Sequence, residues 1–190
     1  MSVTTAILGG RFDPPHLGHV ALARGALAHF GLERLLVLVV ADPGHKAAVA
    51  PPDVRLELAR LAFDGLPATV ELDHHRFTVD RLEAHPLDDG LLLIGADELA
   101  GFLTWKEPER VLELARLGVA TRPGYPRGQL DEVLAQLERR DRVELFELEP
   151  VPVSSTEIRG RVARGEPLDG LVPPAVAARI GERTPLYRGD

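Results

Sequence analysis

The chain has 190 residues, a length that fits one ordinary globular domain. Hydrophobic residues make up 45% and charged residues 27%, which excludes a disordered chain, and a net charge of −7 argues against a nucleic-acid partner. Cysteine is absent, which excludes disulfides, thiol catalysis, cysteine-ligated zinc and iron–sulfur clusters.

Residues 1–5 hold neither a basic stretch nor an apolar signal region, so a cytoplasmic location is expected. Residues 4–8 form a short apolar run stopped by Gly9-Gly10, which predicts a buried first strand. A helix is expected over 16–30, with Leu17, Val20, Leu22, Ala23 and Leu27 among its apolar positions. The run 35–40 predicts a second strand, and its lack of alternation suits a parallel sheet covered on both faces. With Ala41 it is the longest apolar run, seven residues against the ~20 that a bilayer span needs, so no membrane partner is expected. A helix over 53–66 follows, then strands over 69–72 and 91–94. Pro108 opens a helix over 108–115, ahead of a fifth strand over 117–120. A helix over 130–140, a sixth strand over 143–148 and closing helices over 155–164 and 174–180 complete the pattern.

Strand and helix alternating in this way predict an α/β fold, a Rossmann-like doubly wound parallel sheet in a single domain over 1–190. Ligands of such sheets bind beyond the carboxyl ends of the strands. The loops that follow the strands here collect cations and imidazoles: Arg11, His16 and His19, then His45 and Lys46, then His74, His75 and Arg76, then Arg122 and Arg127, and finally Arg159. In an acidic protein, that concentration along one edge favours a polyanionic ligand, most simply one carrying phosphates.

The stretch Gly9-Gly10-Arg11-Phe12-Asp13-Pro14-Pro15-His16-Leu17-Gly18-His19 lies between the first strand and the first helix. Glycines there allow close backbone approach to a ligand, and a helix start offers unpaired N–H groups to a phosphate. His16 and His19 share a face of the first helical turn, with Gly18 leaving room beside them; their imidazoles are placed to donate hydrogen bonds to phosphate oxygens and, in cationic form, to offset charge in a transition state. A zinc reading of the pair lacks a third ligand by spacing. The string resembles the GGxFxPxHxGH signature of the nucleotidyltransferase superfamily, which transfers a nucleotidyl group and releases pyrophosphate. That resemblance implies ATP contacts from Gly9, Gly10, Arg11, Phe12, His16, Gly18 and His19.

Ser154-Ser155-Thr156-Glu157-Ile158-Arg159 fits a helix capping box at Ser154 and Glu157, and it resembles the superfamily's ISSTxxR motif with Val153 in place of Ile. One helix terminus can serve both purposes. The resemblance implies that Ser154, Ser155, Thr156 and Arg159 hold the ATP phosphates.

Three further stretches resemble bacterial nicotinate mononucleotide adenylyltransferases: Gly44-His45-Lys46 (the family's PHK), Ile94-Gly95-Ala96-Asp97 followed by Trp105 (IGADxxxxxxxW), and Arg122-Pro123-Gly124 (RPG). By that resemblance Lys46 and Arg122 contact phosphates, Trp105 lies against the nicotinate ring, and Asp97 orders the mononucleotide site. Read by itself, Asp97 fits the cap of a short helix beginning at Glu98. The family's SYTVDTL appears as Arg76-Phe77-Thr78-Val79-Asp80-Arg81-Leu82, which keeps Thr78 near the pyridine carboxylate, puts Phe77 in the mononucleotide site and offers Arg76 to a carboxylate.

The expected reaction is in-line adenylyl transfer from ATP to nicotinate mononucleotide, with His16, His19 and Arg159 as catalytic groups and no enzyme nucleophile. Magnesium is expected with ATP, and no protein ligand for it can be named. Nicotinamide mononucleotide or phosphopantetheine as acceptor, or a regulator that binds nucleotide without turnover, are the competing readings. The oligomeric state stays open, a homo-oligomer included.

Overall fold

The computed structural model describes residues 5–42, 48–87, 89–149, 151–182 and 186–187. Six strands form one sheet: β1 (Thr5–Gly10), β2 (Arg34–Val40), β3 (Ala68–Asp73), β4 (Leu91–Gly95), β5 (Arg116–Thr121) and β6 (Val143–Glu147). Their order is β3-β2-β1-β4-β5-β6 and every neighbouring pair is parallel, so the doubly wound expectation holds. The chain winds outward from β1 in one direction, returns to the centre and winds outward in the other.

Period-two alternation in the central strands explains why both faces of the sheet are covered. Ala6, Leu8, Val37, Val39, Leu91 and Leu93 face one core, completed by α1 (Leu17–Phe30), α2 (Pro52–Ala62), α7 (Ser155–Arg164) and α8 (Pro174–Glu182). Ile7, Leu38, Leu92, Ile94, Leu117 and Val119 face the second core. Buried residues of α3 (Thr78–Ala84), α4 (Ala96–Ala100), α5 (Pro108–Leu114) and α6 (Arg127–Leu134) complete that one. Burying each large apolar side chain is worth about 1.5–3 kcal/mol, so the sheet is held from both sides.

The reversal between β1 and β4 opens the crevice. Their pairing stops at Leu8↔Leu93, although β1 continues alongside β2 to Gly10↔Val39 and β4 alongside β5 to Gly95↔Ala120. The two strands part at their carboxyl ends, where ligands of this topology bind.

Boundaries differ from expectation at several places. Gly9 and Gly10 are the last two residues of β1 rather than its terminator. The helix expected over 53–66 ends at Ala62, where the chain turns through a Leu66 N–H to Phe63 carbonyl bond of 3.1 Å. The one expected over 130–140 spans Arg127–Leu134, and a 3₁₀ turn at Arg140–Arg142 precedes β6. No helix among the described residues is long and apolar enough to cross a membrane.

Candidate active site

Two groups of residues meet at the crevice, each carried by its own core. The first is built on the β1–α1 loop and the start of α7. Phe12 adopts a positive φ of 49° and is 1% exposed, its ring edge-on to His19 at 5.0 Å and to Phe63 at 5.6 Å. Its side chain therefore backs His19, which leaves the Phe12 backbone for the ATP contact expected of this residue. Gly10 is required by the same ring, since a Cβ there would meet Phe12 at 3.0 Å. Gly9 faces open space, so of the two glycines it is the one that leaves room for a ligand.

His16 caps α1, and its backbone N–H donates to His19 Nδ1 at 3.1 Å. A neutral His19 that accepts at Nδ1 carries its proton on Nε2, which becomes a donor. The two rings stack, with centroids 3.7 Å apart and planes 21° from parallel. His16 Nδ1 is buried without a hydrogen-bond partner, packed where a Cβ on Gly18 would come within 3.0 Å of it. Burial lowers the His16 pKa to about 4; burial first, then the neighbouring His16, hold His19 well below the ordinary value. Burial therefore favours the neutral form of both imidazoles, in which each ring still carries one N–H donor. The Leu17 N–H donates to the Leu171 carbonyl at 2.9 Å and the His19 N–H to the His16 carbonyl at 3.0 Å, which narrows the anion seat expected at this helix start.

The second motif is fastened to the first. Ser155 Oγ donates to the Pro14 carbonyl at 2.9 Å, and Arg159 Nη1 donates to the Asp13 carbonyl at 2.7 Å, across 141 and 146 residues of sequence. Arg159 Nη2 also donates to Thr156 Oγ1 at 3.2 Å. Ser154 Oγ accepts the Glu157 N–H at 3.1 Å, so this serine is a helix cap in fact. The stretches that resemble phosphate-binding motifs thus converge on one end of the sheet.

The second group lies across the crevice. A cavity of about 490 Å³ is lined by Gly9, Gly10 and Arg11 on one side and by Arg76, Phe77, Thr78 and Trp105 on the other. An adjoining space of about 470 Å³ shares Arg76, Phe77, Thr78 and Trp105 and adds Asp97 and Lys106. Thr78 is the first residue of α3, which Val79 and Leu82 anchor in the core at 1% exposure each. Trp105 packs at 5.1 Å against the buried Phe102 and keeps part of its ring exposed. Phe77 is 38% exposed, with the Arg76 guanidinium 5.5 Å and the Lys106 ammonium 5.2 Å from its ring centre. Lys106 is bound to Asp80 at 2.6 Å, whereas Arg76 has no ion pair among the described residues.

Asp97 is not a cap, because Gly95 holds that position and α4 begins at Ala96. The Gly95 N–H donates instead to the Glu98 carboxylate at 2.6 Å. Asp97 accepts a hydrogen bond of 3.1 Å from the Tyr125 hydroxyl, whose ring lies 5.7 Å from the Arg122 guanidinium. Tyr125 escaped the sequence reading; its signal was its place directly after Arg122-Pro123-Gly124. Arg122 joins the site through this tyrosine and lines neither cavity. Lys46 and His45 lie outside the described residues. His75 is occupied by Asp73, its Nδ1 2.7 Å from that carboxylate.

The parallel sheet, the parted β1 and β4 and the motif-bearing loops at their ends define a nucleotidyltransferase. In agreement, the model of the cytidylyltransferase-like family matches residues 7–161. The chain belongs, within that class, to the nicotinate-nucleotide adenylyltransferases. It is 38% identical to the Bordetella avium protein named "Probable nicotinate-nucleotide adenylyltransferase", over 96% of each chain. A Thermus thermophilus protein of the same name is 42% identical, over 96% of this chain and 98% of that one. Among solved structures, Plasmodium falciparum nicotinic acid mononucleotide adenylyltransferase, complexed with NaAD, shares the fold at a TM-score of 0.77 and 16% identity, over 99% of this chain and 98% of that one.

Proposed function

We propose that this chain transfers the adenylyl group of ATP to nicotinate mononucleotide, forming nicotinate adenine dinucleotide and releasing pyrophosphate. The observation that carries the reading is the fastening of Arg159 and Ser155 to the Asp13-Pro14 backbone, which joins the second phosphate-type motif to the first, whose Gly9, Gly10 and Arg11 line the larger cavity. Family membership supports the same acceptor class.

In this reading a 5′-phosphate oxygen of the mononucleotide attacks the α-phosphorus in line, and the bond from that phosphorus to the pyrophosphate oxygen breaks. Both reactants are anions, so positioning and charge compensation do most of the work. His19, through its Nε2 proton, and His16 donate to the α-phosphate oxygens as charge builds there. Arg159, whose carbonyl contact fixes its plane, holds the departing pyrophosphate with Ser155 and Thr156 beside it. Across the cavity Trp105 and Phe77 flank the pyridine ring, and Arg76 pairs with its carboxylate. Asp97, oriented by Tyr125, takes the ribose side. Lys46 and Arg122 belong to the phosphate contacts of this reading.

No group of three or more His, Asp or Glu among the described residues is placed to hold a metal. The Asp13 carboxylate, inside the first motif, already accepts bonds from Val49, Ala50 and Tyr187. Magnesium is therefore assigned to the ATP phosphates, as part of that substrate, and no step is routed through a protein-held ion.

The test is pyrophosphate release from magnesium ATP with nicotinate mononucleotide, nicotinamide mononucleotide and phosphopantetheine in parallel. Turnover dominated by nicotinate mononucleotide is expected. Dominance of another acceptor overturns the assignment of the second group of residues, and ATP binding without turnover overturns the enzyme reading.

A further inference from the structure

Arg55 belongs to neither motif, yet it is a charged side chain at 1% exposure. A guanidinium is rarely buried unless its donors are satisfied. Here Nε donates to the Ala50 carbonyl at 3.0 Å, Nη1 to those of Arg11 at 2.9 Å and Val40 at 2.7 Å, and Nη2 to that of Ala41 at 2.9 Å. These four bonds take four of the roughly five N–H donors a guanidinium offers. The acceptors come from three separate places: the loop after β1, the end of β2, and the residue two before α2. Arg11 and Val40 both line the larger cavity.

Asp13 sits against the same backbone at 2% exposure. Its Oδ2 accepts the Val49 N–H at 2.7 Å, and its Oδ1 accepts the Ala50 N–H at 3.2 Å and the Tyr187 hydroxyl at 2.8 Å. Tyr187 is 6% exposed, far in sequence from everything it touches here. The main-chain oxygen of Asp13 is the one that receives Arg159. Side chain and backbone of a single residue therefore join the first motif, the second motif, the approach to α2 and the carboxyl-terminal segment.

We propose that Arg55 and Tyr187 are positioning residues of the adenylyl-transfer site: Arg55 fixes the spacing of the β1 and β2 ends that wall the cavity, and Tyr187 holds Asp13 where its carbonyl orients Arg159. Neither touches a substrate. Arg55 acts through the Arg11 backbone and the end of β2, Tyr187 through Asp13. A lysine at 55 retains the charge but offers a single point of donors, which cannot serve three chain segments at once. A phenylalanine at 187 retains the packing and removes only the hydroxyl bond.

This inference rests on the adenylyl-transfer reading, so the wild-type protein is assayed first for turnover, and ATP affinity is measured separately by titration. Full-length Arg55→Lys and Tyr187→Phe are then compared with wild type at 10 °C and 25 °C, with near-UV circular dichroism confirming the folded state. Displacement of reacting groups by a fraction of an ångström to an ångström costs up to about 100-fold, so Arg55→Lys is expected to lower kcat by about 30- to 100-fold and Tyr187→Phe by about three- to tenfold. ATP affinity is expected to weaken by about tenfold in Arg55→Lys and about threefold in Tyr187→Phe, and both losses persist at 10 °C, where a defect of folding alone would vanish. Values within about twofold of wild type in a folded variant, or losses that disappear on cooling, overturn the proposal. If Arg55→Lys does not fold, Tyr187→Phe decides alone. If wild type turns over no acceptor, the adenylyl-transfer reading fails by itself, and the ATP titrations still judge whether these residues position the phosphate site.

Discussion

Two imidazolium ions stacked 3.7 Å apart would repel strongly, and the lowered pKa values of His16 and His19 remove that cost by keeping both rings neutral. A neutral donor adds no charge when the site is empty and gains strength as charge develops on a phosphate oxygen. His16→Ala should therefore lower kcat by about 100-fold or more while changing ATP affinity by less than about fivefold, read from steady-state kinetics beside an ATP titration. Arg76, unpaired among the described residues and on the wall of both spaces, should carry acid-over-amide selection. Arg76→Ala is expected to reduce the ratio of kcat/KM for nicotinate over nicotinamide mononucleotide by about tenfold, and an unchanged ratio would refute the assignment. At this scale the motif histidines were legible from the strand–glycine–helix pattern, whereas Trp105 and Thr78 were legible only through the resemblance to the family's motifs, since helical or loop residues separate each from the strand before it. Arg55 was not singled out, although it stands in the stripe Arg55, Leu58, Ala59, Ala62 that α2 buries. A charge in an apolar stripe is a signal, but only the fold shows which carbonyls satisfy it.

At the scale of elements, the first turn of α1 is shaped by what it lacks. An alanine at 18 would gain helix propensity of about 1 kcal/mol yet bring its methyl within contact of the His16 ring. Gly18→Ala should thus leave stability within about 1 kcal/mol of wild type, measured by urea unfolding, while kcat falls by about tenfold. The short helix α3 depends on Leu82 for its seat in the second core. Leu82→Ala should cost about 2–5 kcal/mol and raise KM for the mononucleotide more than for ATP, because Thr78 and Phe77 ride on that helix. No helix was expected over α3, and the short helix expected from Glu98 begins two residues earlier, at Ala96, with Gly95 rather than Asp97 as its cap. At seven and five residues both are too short for a 3.6-residue repeat to declare itself. The long strands and α1 were legible because their apolar patterns run for many residues.

For the whole molecule, the buried histidines couple folding to pH. His16 titrates at about 6.5 when unfolded and about 4 when folded, so the unfolded chain binds more protons between those values. Stability from this group is complete above pH 6.5 and is lost as pH falls toward 4. His19, shifted in the same direction, adds to the loss. The expected change is about 1–3 kcal/mol, measured by urea unfolding across pH 4–7, and a His16→Asn variant should show a shallower fall. An equal fall in that variant would exclude the histidine as its source.

The sheet divides the candidate site as well as the protein's volume. Residues assigned to ATP rest on the core that holds Val20 and Ile158, and those assigned to the acceptor rest on the core that holds Leu82, Leu99 and Phe102. A methylene gained or lost in one core is absorbed mainly by the helices of that face. Acceptor choice can therefore drift, or be engineered, through the second face without retuning the machinery that grips the phosphates.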